Sequence, residues 1–263
     1  MNFLFIIPVL LVIGLSGCDY WKTLTRGGED AFIIKGTKTI SGQTIEFKPG
    51  TRVRFESEKT STIGGETHVY GQLIFTNGAR LIARGTPNNP IVFETEDEGG
   101  ILLKNDASSN SIIEYCKFDL DTYISCENSI TIQYCKFDHA WISSWVSDTQ
   151  VVKPTIQYNS FDSSLPYRNA GNIISGGFSV IQFNEMKGGY RPISAGTIVI
   201  KKNNIVNSLD YAIVSGPGAE VHDNYIANCN GKTGPDTTGE QVDISGTYTN
   251  PQTSPIPNAG CGW

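Results

Sequence analysis

The chain has 263 residues, 39% of them hydrophobic and 17% charged, and a formal net charge of −6 at pH 7. That apolar share argues against a disordered chain. The negative balance argues against a phosphate-backbone partner, which needs clustered Lys and Arg, so no nucleic acid is expected to bind.

The first element is an export signal. Phe3 to Gly14 is almost wholly apolar and leads at once into Leu15-Ser16-Gly17-Cys18. The arrangement resembles the lipobox of bacterial lipoproteins, which implies cleavage before Cys18 and a lipid on the new N-terminal cysteine. The run is shorter than the ~20 residues that span a bilayer as a helix, and an ordinary secretory peptide or a short membrane anchor is the alternative. No Lys or Arg precedes it, a departure from the lipoprotein pattern. The expected organisation is a signal peptide over 1–17, lipidation at Cys18 and a tether over 18–31 with Gly27-Gly28 as its joint. The protein is then exported and held to a membrane of the cell envelope, in the periplasm or at the cell surface, through that lipid.

From Phe32 the chain reads as short strands broken by turn residues, and its 28 glycines fit many tight turns. The opening runs are Pro49 to Phe55, Gly71 to Leu73, Gly85-Thr86, Pro90 to Phe93 and Gly99 to Ile101. Segments starting at Ile113, Ile132, Ile156, Ile181, Ile200 and Val221 then align without gaps, at intervals of 19, 24, 25, 19 and 21 residues. Such a period marks a solenoid. A shorter motif precedes most of them: Ile124-Ser125, Ile142-Ser143, Ile174-Ser175, Ile193-Ser194 and Val214-Ser215.

Each column of the alignment has its own chemistry. The first position is Ile or Val and the sixth is Phe, Met or Ile, which suits inward-facing strand sites. The fourth is Cys116, Cys135, Asn159, Asn184, Asn203 and Asn224. Asparagine tolerates the left-handed conformation of a sharp bend, and amides stacked ~4.8 Å apart can hydrogen-bond in a ladder. Cysteine would fill the same small site without the polar ladder.

These runs and segments together resemble bacterial right-handed parallel β-helix repeat proteins of the pectin-lyase-like superfamily, over about Phe32 to Asn230. The resemblance implies an all-β, right-handed parallel β-helix over 32–230. It implies no single activity, because that superfamily hosts lyases, hydrolases and adhesins. The Gly-, Pro-, Thr- and Asn-rich stretch 231–263 is expected as an irregular C-terminal tail that caps the open end or wraps the side.

Two groups of residues are candidates for ligand binding. The third column, Tyr115, Tyr134, Tyr158 and Phe183, continues as Lys202 and Asp223, which places it at a solvent-reachable corner. Aromatic faces there would suit the C–H faces of sugars; the alternative is rings that merely shield the bend. The second group lies on or near inserted loops: Trp141, Trp145, Tyr167, Arg168, Tyr190 and Arg191. Arginine and tryptophan suit an acidic sugar, although exposed Arg and Trp also occur without a function.

Metal and cofactor are not expected. Asp119, Asp138 and Asp162 form a column, but Lys117 and Lys136 lie two residues away to neutralise it. His68, His139 and His222 fall in separate repeats without ligand spacing. Cys116 and Cys135 should be stacked neighbours, and Cys229 and Cys261 flank the tail and could pin it. The sequence thus points to a polysaccharide as partner. A polysaccharide lyase or glycoside hydrolase and a non-catalytic scaffold or adhesin are the alternatives, and no catalytic residue is assigned.

Overall fold

The computed structural model describes residues 31–62, 65–144, 153–164, 172–196, 199–209, 212–215 and 219–227, with the short strand Thr25–Arg26. The chain runs repeatedly through three sheets, here A, B and C, and stacks each circuit on the last. One circuit is Ile91–Thr95 in sheet A, Gly99–Leu103 in sheet B and Ile112–Glu114 in sheet C, after which Cys116–Asp119 returns to sheet A. Sheet A has ten strands and sheets B and C eight each, and from Ala31 onward every pairing within them is parallel. The fold is an all-β parallel β-helix.

The gapless alignment is the physical register. Ile113, Ile132, Ile156, Ile181, Ile200 and Val221 pair in succession along sheet C. Phe118, Phe137, Phe161, Met186, Ile205 and Ile226 do the same along sheet A. Alternation along each strand sends these side chains inward, because successive residues face opposite sides of a sheet. Inside, Phe93, Phe118, Phe137 and Phe161 stack face to face at 4.9, 4.8 and 4.6 Å. Full burial of one such ring removes it from water, a gain of about 1.5–3 kcal/mol per side chain.

Three local features differ from the sequence expectation. In sheet B, Ile193 pairs with Ile213 and Ala195 with Ser215, so the Ile-Ser motif holds through Ser194 and then slips by one at Val214-Ser215. The slip puts Ile213 fully inside and leaves Val214 outward, the parity that buries the larger group. An antiparallel hairpin, Glu58–Thr62 with Gly65–Val69, interrupts the passage from sheet A to sheet B. Thr25–Arg26, within the stretch expected as a tether, pairs antiparallel with Phe32 and Ile33 at the edge of sheet A. The signal peptide, Cys18 and the 231–263 tail lie outside the described residues.

The bend between sheets C and A is built by two adjacent residues with divided roles. The left-handed residue is the third of each segment rather than the asparagine: Tyr115, Tyr134, Tyr158, Phe183, Lys202 and Asp223 have φ between 50° and 58°. The asparagines beside them are buried. Asn159, Asn184 and Asn203 each donate backbone N–H and side-chain Nδ2 to the Oδ1 of the next asparagine, at 2.9–3.1 Å. Each Nδ2 also reaches a carbonyl one circuit back, as Asn184 does to Ile156 at 3.0 Å. The cysteines keep part of this pattern, Cys116 donating its thiol to Ala83 O at 3.3 Å.

Candidate functional site

The third-column aromatics form a continuous stack at the C–A corner. Ring centroids are 5.0 Å apart from Tyr115 to Tyr134, 5.2 Å to Tyr158 and 4.9 Å to Phe183, with planes within 12° of parallel. Lys202 Nζ closes the end, 5.4 Å from the Phe183 ring centre. All four rings are half-buried. Because they lie on one another, the faces of the inner rings are spent within the stack. Ring edges and tyrosine hydroxyls are what the corner offers a ligand.

A second column runs beside the rings on the outer face of sheet C, and the sequence reading passed over it. Gln133 Nε2 donates to Glu114 Oε1 at 2.7 Å, Gln157 to Gln133 at 2.8 Å and Gln182 to Gln157 at 2.9 Å. Arg84 anchors the start, 2.8 Å from Glu114. A third outward column, Ile112, Thr131, Thr155, Val180 and Val199, lies two residues earlier on each strand. Both columns were visible in the aligned segments, as the second position and the residue before the first.

The remaining sequence candidates lie elsewhere. Trp141 is on sheet B, stacked on Tyr123 at 5.5 Å and 20°. Arg191 stands 5.3 Å from the ring centre of Tyr190, at the start of another sheet B strand. These residues and the C–A stack therefore occupy different parts of the surface. Trp145, Tyr167 and Arg168 fall outside the described residues.

The outer face of sheet A carries the charge. Register continues the aspartate column at both ends, as Glu94, Asp119, Asp138 and Asp162 between Arg54 and Lys187. Arg52 and Arg54 hold Glu94 at 2.7 and 2.9 Å, and Lys117 holds Asp119 at 2.8 Å. Burial pushes the Glu94 carboxyl up, but the two arginines outweigh it and hold the group below the usual range. A shallow depression of about 460 Å³ opens over Arg54, Glu94, Lys117 and Asp138. Among the described residues, no group of three His, Cys, Asp or Glu side chains is placed to hold a metal ion.

At the A–B corner, Glu98, Asp121 and His139 occupy successive circuits. Asp121 N donates to His139 O at 3.1 Å, and His139 Nδ1 meets Asp138 Oδ1 at 2.8 Å. Burial, then the charge of Asp121, raises the Glu98 carboxyl; burial also raises Asp121, against an opposing pull from His139. Tyr123, desolvated and facing Glu98 and Tyr70, is pushed up to about 12. No protein-family model matches the chain, and neither does a curated protein or a solved structure.

Proposed function

We propose that this is an exported, lipid-anchored β-helix protein of the pectin-lyase-like kind that binds an extended glycan along its solenoid surface. The lipobox-like Leu15-Ser16-Gly17-Cys18 supports the anchor, and the parallel three-sheet coil is compatible with the superfamily. The observation that carries the binding reading is the stack from Tyr115 to Phe183 with the glutamine ladder beside it, one aromatic and one polar group per circuit. A polymer lying along such a corner meets the same contacts at each step of ~4.8 Å. Sugar hydroxyls would bond the tyrosine hydroxyls and the amides, while ring edges pack against C–H groups.

Affinity electrophoresis against a panel of polysaccharides tests this. Tyr158→Phe removes one hydroxyl and should weaken binding by about 0.5–1.5 kcal/mol with the fold unchanged. Tyr158→Ala should weaken it further and also lower thermal stability, because that ring stacks on two neighbours. If both variants bind like the parent, the rings only shield the bend. The anchor is tested separately: Cys18→Ser should move the protein from the detergent phase to the aqueous phase after phase separation. Unchanged partitioning would point to an ordinary signal or a membrane span.

A further inference from the structure

Four large apolar side chains are exposed among the described residues: Tyr70 at 40%, Leu120 at 44%, Tyr190 at 45% and Leu209 at 52%. All four lie where the chain turns from sheet A into sheet B. Tyr70 immediately precedes the sheet B strand Gly71–Thr76, and Leu120 lies between Cys116–Asp119 and Thr122–Cys126. Tyr190 falls between Glu185–Gly188 and Arg191–Ala195, and Leu209 between Asn204–Val206 and Ile213–Ser215. The other two corners expose no described large apolar side chain to that degree; the rings of the C–A corner are half-buried. The A–B edge therefore carries an apolar stripe along the solenoid, with Tyr123 and Trp141 stacked beside it at the start of sheet B.

Charge and chain path select what covers it. Outside the Glu58–Val69 hairpin, the described charges on this corner are Glu96, Asp97, Glu98 and Asp121 against Arg191, with His139 among them. Burial already raises Glu98 and Asp121, so an anionic partner laid over them would meet repulsion. A second copy would bring the same acidic edge and a net charge of −6. The chain's own C-terminal stretch brings neither. The last described strand, Tyr225–Ala227, lies in sheet A one circuit beyond Asn204–Val206, and in earlier circuits sheet A leads next into the A–B corner. Thirty-six residues follow Ala227. The segment 244–263 has no Lys, Arg, Asp or Glu, and it offers Ile244, Tyr248, Ile256 and Trp263 among Thr, Ser, Asn and Gln. From Leu209 to Tyr70 the stripe spans six strand spacings, about 29 Å. An extended chain covers that in about nine residues, so the segment is long enough.

We propose that the segment 244–263 straps the A–B edge, laying its apolar side chains over Leu209, Tyr190, Leu120 and Tyr70. Tethering beside the stripe gives it an effective concentration on the order of millimolar, well above that of a separate chain in dilute solution. Its hydroxyls and amides supply donors for the Glu98 and Asp121 carboxylates that it covers. The C-terminal stretch is then a wrap along the side rather than a cap on the open end, and it leaves the C–A corner uncovered. The inference stands apart from the glycan reading.

Photocrosslinking of the full chain is the test, with p-benzoylphenylalanine placed in turn at Leu120, at Tyr190 and, as a control, at Thr155 on the outer face of sheet C. Peptide mapping should join positions 120 and 190 to peptides from 244–263, and dilution should leave the yield unchanged. Position 155 should join none of them. Chymotrypsin gives a second reading, since Tyr248 lies within the strap. Leu120→Asp and Leu209→Asp should each speed cleavage after Tyr248 about tenfold, because each puts an unpaired carboxylate under apolar side chains. Thr155→Asp should leave that rate at the parent's. Crosslinks between two chains that fade on dilution would give the stripe to a second copy and overturn the proposal. So would the absence of any crosslink to 244–263, crosslinks from position 155 as frequent as from 120 and 190, or parental cleavage rates in both leucine variants.

Discussion

A left-handed backbone costs a residue with a side chain ~1–2 kcal/mol, and the C–A corner repeats that strain in six circuits. The neighbouring asparagines offset it. Asn184 alone accepts two hydrogen bonds from Asn159 and donates to Asn203, Ile156 and Gln182. At a net ~0.5–1.5 kcal/mol each, two such bonds already match the strain. Division of labour explains why aromatic side chains are tolerated where the backbone favours Gly or Asn: the bend is fixed by the residue after them. Asn184→Leu should therefore cost about 1–3 kcal/mol in urea denaturation, by stranding partners on both sides. Asn224, whose Oδ1 serves Asn203 but which has no described asparagine beyond it, should cost less when changed to Leu. Equal, negligible losses at the two positions would mean that the ladder contributes nothing to stability.

At the scale of strands and corners, the A–B corner carries a pH signature whose sign follows from the carboxyl positions. Asp121 and Glu98 are raised in the folded chain, so the native state holds their protons more tightly than the unfolded chain. Stability from these groups is then full below the ordinary carboxylate value of ~4 and falls as pH rises through the raised one. Asp121 has a φ of 56°, which Asn also tolerates, so Asp121→Asn removes the charge without straining the backbone. It should raise the melting temperature at pH 7 and have little effect at pH 3.5. Destabilisation at pH 7, or the same shift at both pH values, would refute the assignment. Elements of this kind were only partly legible in the sequence. The Ile and Phe columns were, because inward sites repeat one chemistry with the coil period. The hairpin at Glu58–Val69 was not, since it belongs to no coil and breaks the repeat. Val214-Ser215 mimicked the Ile-Ser motif, and only pairing revealed that Ile213 is the buried partner of Ile193. Among the candidate residues, the aromatic column was legible as a column. That its rings would spend their faces on each other required the spacing of the coils.

Among the described residues the circuits are held together along one axis, each strand pairing with those of the circuits before and after it. Stability in such a solenoid is close to a sum of coil and nearest-neighbour terms, and cooperativity depends on every interface being strong. The internal phenylalanine stack is one such set of interfaces. Phe137 sits in its middle, 4.8 Å from Phe118 and 4.6 Å from Phe161, whereas Phe55 has one described stacking partner in the series, Phe93 at 6.2 Å. Truncating a buried phenylalanine to alanine costs ~3–5 kcal/mol, a large part of the ~5–15 kcal/mol that holds a typical domain folded. Where that loss falls decides its form. Phe137→Ala weakens two adjacent interfaces at once and should let the circuits on either side melt separately. Its urea transition should broaden or split, with the fluorescence of a variant that keeps Trp141 and carries Phe at the other three tryptophans changing at a different urea concentration from the sheet signal in circular dichroism. Phe55→Ala lies toward the N-terminal end and should lower the midpoint while leaving one coincident transition. Two variants with the same single transition and the same slope would show that the coils unfold as one body however the interfaces between them are weakened.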